Sequence, residues 1–540
     1  MRRTRGPVVT PAALPQAINR LPRRAIRAIF WRAQRRRSPT ADVSAPDTGD
    51  STFPPGGIVN DLAKFAVDRA IAAGASYADC RIARRRRESV HVKNSVVDAL
   101  ESSEHLAAGV RVMANGAWGF AATDRLERAD LERAAELAVR IAKASATVPG
   151  EQAVSLEERR PVKDSWASQF EVNPFEVPLE DKINLLLDAD RVLRQQEGIK
   201  VSTGTVAFSD EEKDFVSSEG DEIHQHKVES GGMISATAAD GTRVQERSYP
   251  SSLDGFHAAG GWEIIEGMDL KGGAEVIGPQ AVNLLSAPPC PRERTSIILD
   301  SSQMALQIHE SCGHPTELDR VFGTEASYAG TSFLTPDKLG SLRYGSSLVN
   351  ITADATVPGA LGTFGWDDEG VPAQRTFLVK EGVFSGYLSS RETAPRVGMS
   401  SSGTMRADGA NRLPLIRMTN INLEPGDWDL DELIKDTKRG LFLHTTKSWS
   451  IDDKRLNFQF ATEIAWEIKD GALGAIVRDA TYQGITPEFW GSCNAIGNQD
   501  SWQMWGLTNC AKGEPVQLMH VGHGSAPARF AGVRVGVLEK

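Results

Sequence analysis

TSIILDSSQMALQIHESCGHPTE, Thr295 to Glu317, packs a strand, a helix and two histidines into one short run. Thr295 to Leu299 is a β-rich stretch. Asp300 with Gln303 three residues later is a helix-capping signal, and Ala305, Ile308, His309 and Cys312 then recur at helical spacing on one face. That periodicity turns His309 inward. The second imidazole, His314, comes five residues later, with Glu310 beside the first. On an ideal α-helix a five-residue step leaves two side chains about 140° apart, whereas the four-residue step of H-E-x-x-H leaves about 40°. Both rings can therefore serve one metal only if the helix distorts. Gly313 loosens the backbone and Pro315 disfavours α geometry at His314, so the spacing predicts a π-like widened last turn or a helix end. The bland alternative is two hydrogen-bonded polar histidines at a helix terminus.

Upstream, Ala287-Pro288-Pro289-Cys290-Pro291 forbids regular structure and marks a domain boundary. Before it, Ile58 to Ala73 reads as a helix capped by Gly74, followed by strands at Tyr77 to Ile82, Ser89 to Val97 and Ala107 to Met113, and an Asn115-Gly116 turn. Helices over Ala129 to Ala144 and Glu180 to Gln196 flank further strands at Val201 to Ser209, Asp214 to Ser218 and Glu222 to Ala239. The fold class is α+β: a smaller N-terminal α/β-layered domain (57–290) followed by a β-rich catalytic domain (291–540) that carries the metal-binding helix. Residues 1–56 read as a disordered Arg-rich tail.

Five cysteines in 540 residues are too few and too scattered for a disulfide framework, which suits a reducing, cytoplasmic setting. Residues 1–40 hold eleven arginines and no acid, leaving 50 basic against 71 acidic residues, a formal charge of -21, in the rest. Such an acidic body argues against a nucleic-acid partner. No apolar run of about 18 residues is present, so no integral membrane segment is expected. The tail lacks the apolar core of a secretory signal; its Ala25 to Trp31 stretch is either a basic amphipathic turn or a plain solvated extension.

The segment His309-Glu310-Ser311-Cys312-Gly313-His314-Pro315-Thr316-Glu317-Leu318-Asp319-Arg320, continued by Tyr328-Ala329-Gly330-Thr331-Ser332-Phe333, resembles the metalloprotease motif of the TldD/PmbA family, in its zinc-bearing TldD branch. Asp368-Glu369-Gly370-Val371-Pro372, Gly386-Tyr387-Leu388, Arg417-Met418-Thr419-Asn420 and Glu424-Pro425-Gly426 are similar to its catalytic-domain landmarks. Tyr77-Ala78-Asp79, Gly109-Val110-Arg111-Val112 and Gly116-Ala117-Trp118-Gly119-Phe120 resemble its first domain. The likeness spans about residues 57 to 535.

This resemblance implies a Zn2+ cofactor and a third ligand, a cysteine near the C-terminus in a pattern like C-G-K-x-G-Q. Cys510-Ala511-Lys512-Gly513-Glu514-Pro515 is the nearest match, departing at Ala511 and Glu514. Cys493 competes, and His520 or His523 also carry donor atoms; Cys312 reads as a buried apolar-face residue. The expected metal ligands are therefore His309, His314 and Cys510, with Glu310 as the catalytic residue that takes a proton from the attacking water and passes it to the leaving amine. Glu317 and Asp319 are either supports for a ligand imidazole or a solvated acidic turn.

The implied function is zinc-dependent hydrolysis of peptide bonds in short or unfolded peptides, the peptide substrate adding as a strand beside the site. The family also implies a homodimer or a heterodimer with a PmbA-like subunit. The alternative is a non-catalytic partner or scaffold subunit, against which the intact histidine–glutamate set speaks; a zinc amidase acting on another amide is a third reading. Three further features have ordinary explanations. His224-Gln225-His226 fits an exposed strand face, Arg81 to Arg87 a solvated or interface edge, and Trp490, Trp502 and Trp505 either a cleft or core packing.

Overall fold

Alanine-rich helix faces and long alternating strands build the N-terminal half. The computed structural model describes residues 56–148 and 153–536; the tail expected over residues 1–56 lies almost wholly outside them. Helix α1 (Gly56–Ala72) ends at Gly74, whose φ of +102° makes the left-handed turn that a helix end requires. Strands β1 (Tyr77–Lys93), β2 (Val96–Ala114) and β3 (Ala117–Thr123) follow, joined by two-residue turns at Asn94-Ser95 and Asn115-Gly116. All four turn residues have positive φ, as tight hairpins of this twist need. Helix α2 (Arg128–Ser145) lays Ala134, Ala135, Ala138 and Ala142 on the sheet. It comes close enough that a Cβ at Gly119 would stand 2.0 Å from the Ala138 carbonyl oxygen. Burying Leu131 beside them contributes about 1.5–3 kcal/mol.

Strand β4 (Lys163–Ala167), helix α3 (Leu179–Arg194) and strands β5 (Ile199–Ser217), β6 (Glu222–Ala239), β7 (Val244–Tyr249) and β8 (Phe256–Ala259) complete an eight-stranded sheet of order β3-β2-β1-β5-β6-β4, with β7 and β8 also on β6. Helices α4 (Trp262–Met268) and α5 (Leu270–Ser286) close its second core with α3.

Strand β1 is continuous through the arginine run, where the sequence reading had two short strands. Alternation explains it. Arg81 and Arg85 face the C-terminal half, reaching Asp368 at 3.6 Å and Asp408 at 2.8 Å, while Arg84 pairs with Glu104 and Arg86 covers Phe175 on the other face. Arg111 of β2 joins Asp79 at 2.8 Å to Glu369 at 3.2 Å, and Lys213 of β5 meets Asp368 at 2.7 Å. The run is thus an ion-paired interface between the two halves.

In the second half, β9 (Glu293–Leu299) lies between the Arg439–Ile451 strand, parallel to it, and the antiparallel Ala528–Val535 strand. Ala480–Ile485 and Asn457–Lys469 continue the sheet, and Asn457–Lys469 pairs back onto Arg439–Ile451, closing a five-strand ring. An aromatic core fills this half, with Phe489 stacked on Phe530 at 4.1 Å. Helix α6 (Ser301–Ile308) leaves β9 at Asp300, whose carboxylate accepts from Gln303 N–H as the capping signal predicts, and every residue from Ser301 to Gly313 is buried. Among the described residues no helix is long and apolar enough to cross a membrane.

Candidate metal centre

Helix α6 does not continue as an α-helix. His309 to Gly313 forms a π-turn in which the His314 N–H bonds the His309 carbonyl five residues back, and His314 to Thr316 then tightens to a 3-10 turn. The widened turn brings the two rings onto one side, with centroids 4.8 Å apart and planes at 89°. Gly313 is required for a second reason: a Cβ there would stand 2.1 Å from the Met418 sulfur.

The third donor comes from a two-stranded ribbon, Gln503–Lys512 paired with Gln517–Ser525, whose register slips between Leu507 and Cys510. Arg417, fully buried, donates to the carbonyls of Cys510 and of Gln517 and fixes the ribbon at that irregularity. The ligand atoms of His309, His314 and Cys510 all lie within 4.8 Å of one another, with Cys510 Sγ 3.9 Å from His314 Nε2. A tetrahedral zinc with bonds of about 2.0–2.3 Å would hold such atoms roughly 3.3–3.8 Å apart, so a small contraction suffices.

The protons are arranged to leave the right lone pairs free. His523 Nδ1 faces the Ile421 carbonyl at 3.3 Å, which makes it the protonated nitrogen and leaves His523 Nε2 to accept from His309 Nδ1 at 2.8 Å. His314 Nδ1 likewise donates to Glu317 at 3.0 Å. In both metal-side rings Nε2 is therefore the unprotonated donor. Burial lowers the proton affinity of His309, His314 and, more strongly, His523, keeping all three neutral. Burial alone would raise the Cys510 thiol, but His314, whenever it carries a second proton, and the Arg417 guanidinium outweigh it and draw it below its ordinary value. Two neutral imidazoles and an acidified thiol form a donor set that fits zinc.

Beneath them, Glu317 is buried, yet Lys512, His314 and Arg320 hold its carboxyl well below the usual range. Lys512, itself fully buried, reaches Glu317 at 3.5 Å and Asp319 at 2.7 Å. The lysine of the Cys510-Ala511-Lys512-Gly513 string thus anchors the acidic turn after the histidines. Glu310, 6% exposed, meets Arg455 at 2.5 Å. Both line a cleft of about 470 Å³ with His309, His314, Cys510, Tyr328 and Trp449.

The other sequence candidates lie elsewhere. Cys493 sits in the core with its thiol pushed up to about 12 by burial, as does Cys312, whose sulfur faces the Tyr344 hydroxyl at 3.1 Å. All five cysteines are free and buried. His520 bonds Glu229 at 2.6 Å, and His224 and His226 pair with Asp214 and Asp210. Trp490 and Trp505 are core residues; the aromatic side chains on the cleft are Trp449 and Tyr328. Sequence reasoning singled out neither Arg455 nor the support given by His523. An Asp452-Asp453 turn signal ahead of Arg455 was the available hint.

Comparison with known proteins shows the family. Residues 292–536 match the PmbA/TldA metallopeptidase C-terminal domain, 78–142 its domain 1 and 172–286 its central domain. A protein from Methanocaldococcus jannaschii named a metalloprotease is 30% identical over 410 residues, 76% of this chain and 86% of that one. A Saccharolobus solfataricus protein named a zinc metalloprotease TldD homolog is 23% identical, over 78% of this chain and 88% of its own. In fold, the chain is similar to TldE from Thermococcus kodakarensis, with a TM-score of 0.64 at 17% identity over 89% of this chain and 100% of that one.

Proposed function

From the premise that this chain belongs to the PmbA/TldA metallopeptidase family, we propose that it is a zinc-dependent peptidase acting on short or unfolded peptides. The observation that carries the reading is the convergence of His309, His314 and Cys510 in one cleft with Glu310. Bound zinc would supply Lewis acidity and lower the pKa of its water toward 7. Everything else falls to the chain. His523 and Glu317 orient the two imidazoles, and Lys512 fixes Glu317. Glu310 takes the proton from the attacking water and returns it to the leaving amine. Leu253, Leu306 and Leu507 give the cleft apolar walls that restrict bulk water.

Among the described residues the Gln503–Lys512 strand is paired only with Gln517–Ser525, and its Asn509 and Ala511 line the cleft, where a peptide can add as a further strand. Backbone pairing of this kind tolerates varied sequence. We place the protein in the reducing cytoplasm on its five unpaired cysteines, and in a dimer with itself or with a metal-free PmbA-like subunit. A scaffold role is the weaker reading, since the donor set, its proton arrangement and Glu310 are all intact.

The test is metal content by mass spectrometry beside hydrolysis of an unstructured fluorogenic peptide. One zinc per chain is expected, absent in His309→Ala. Glu310→Gln should retain zinc and lose about 10²–10⁴-fold in kcat. A zinc-replete wild type without zinc or cleavage, indifferent to these changes, would establish the scaffold reading.

A further inference from the structure

Glu310 does not reach its place unaided. The Arg439–Ile451 and Asn457–Lys469 strands form a hairpin, and the turn between them ends on Arg455, a non-glycine residue at φ +63°. Backbone strain of this kind persists only where the surroundings impose it. Here they do: Leu456 N–H and Asn457 Nδ2 donate to the Asp452 carboxylate, and the Thr486 hydroxyl to the Arg455 carbonyl at 3.0 Å. The guanidinium then takes Glu310 with Nη1 at 2.5 Å and faces the Ala329 carbonyl with Nη2 at 3.4 Å. Its Nε is buried with no acceptor among the described residues, so those two contacts alone set its direction.

Ala329 has a second partner. Its carbonyl also accepts from Arg320 Nη1 at 2.5 Å, and Arg320 Nε holds Glu317 at 3.2 Å, the carboxylate that orients His314. One carbonyl oxygen therefore joins the arm that holds a metal ligand to the arm that holds Glu310. The strap around it is tight: Thr331 and Phe333 N–H groups bond the Asp453 and Lys454 carbonyls at 2.8 and 3.0 Å. Gly330, at φ +79°, passes so close to the turn that a Cβ would stand 2.3 Å from the Asp453 oxygen. This is the Tyr328 to Phe333 stretch that continues the motif begun at His309.

We propose that Arg455 is a positioning residue for Glu310, and that the Ala329–Phe333 strap keeps it in step with the His314 arm. The inference rests on the peptidase reading for its catalytic part, while the pairing itself can be tested without zinc or substrate. Arg455→Ala should keep its zinc and lose about 100-fold in kcat, with KM changing by less than about threefold, because the base is misplaced rather than the peptide unbound. Arg455→Lys should recover roughly tenfold of that loss, and added guanidinium ion should restore part of the activity of Arg455→Ala. In chelator-treated protein, Arg455→Ala should lower Tm, and most of that loss should vanish in the Glu310→Gln background. The proposal is overturned if Arg455→Ala cleaves as fast as wild type while Glu310→Gln is inactive, or if the two Tm losses simply add. An inert zinc-loaded wild type would instead defeat the peptidase reading, and the Tm cycle would still decide the pair.

Discussion

Two of the buried clusters of charge among the described residues are built on opposite plans. Between the halves, each charge has an opposite-charge neighbour: Arg111 with Asp79 and Glu369, Arg81 and Lys213 with Asp368. Around the α6 π-turn, charges are paired only on the outside, by Lys512, Arg320 and Arg455, while inside two imidazole lone pairs and a sulfur converge on a common point. Paired charge holds surfaces in register; converging lone pairs ask for a cation. Burial, unusual charge and shifted proton affinity are common to both, so none of them distinguishes a working centre from a structural clasp.

The sharpest way to break this contrast is to exchange the outcomes. Cys510→Ala or His314→Ala should abolish stoichiometric zinc by mass spectrometry, whereas Arg111→Ala should retain it; metal lost from Arg111→Ala would make the clasp part of the centre. Arg111→Ala should instead cost about 3–5 kcal/mol in the first urea transition, since Asp79 and Glu369 would be left buried without their cation. Lys512→Met should weaken zinc by about 10–100-fold against a competing chelator by freeing Glu317; unchanged affinity would make Lys512 an ordinary interior ion pair. The last effect is on pH. Burial and the neighbouring Glu369 raise the Asp367 carboxyl to about 7, so the folded chain keeps a proton that the unfolded chain releases near 4. Stability should therefore fall as pH rises from about 4 to about 7, and Asp367→Asn should flatten that slope in Tm against pH.

The widened turn was legible in the sequence because its constraints are local. The five-residue step between His309 and His314, Gly313 and Pro315 required a widened turn, and the turn is there. The α+β class and the helices flanking the first sheet were legible from periodicity for the same reason. What escaped was long-range. Strand β1 was broken at its arginines because an arginine run reads as solvated until the acids of another domain face it. Helix α5 went unread: its Pro279 and three internal glycines mask helical periodicity that packing against α3 and strands β6 and β7 sustains. Arg455 lies 145 residues from Glu310, and the Asp452-Asp453 turn signal beside it marks a turn without naming its partner. His523 was weighed as a ligand, whereas the Ile421 carbonyl makes it a support.

The π-turn also fixes what could be transplanted. A designer who grafted the six letters from His309 to His314 onto a regular helix would obtain two rings facing roughly 140° apart and no centre at all. The portable unit is a length of backbone, from the Asp300 cap to Pro315, together with the open space opposite Gly313 into which Met418 fits. In this fold the spacing between two letters is an instruction to the main chain, and the side chains work only where it is obeyed.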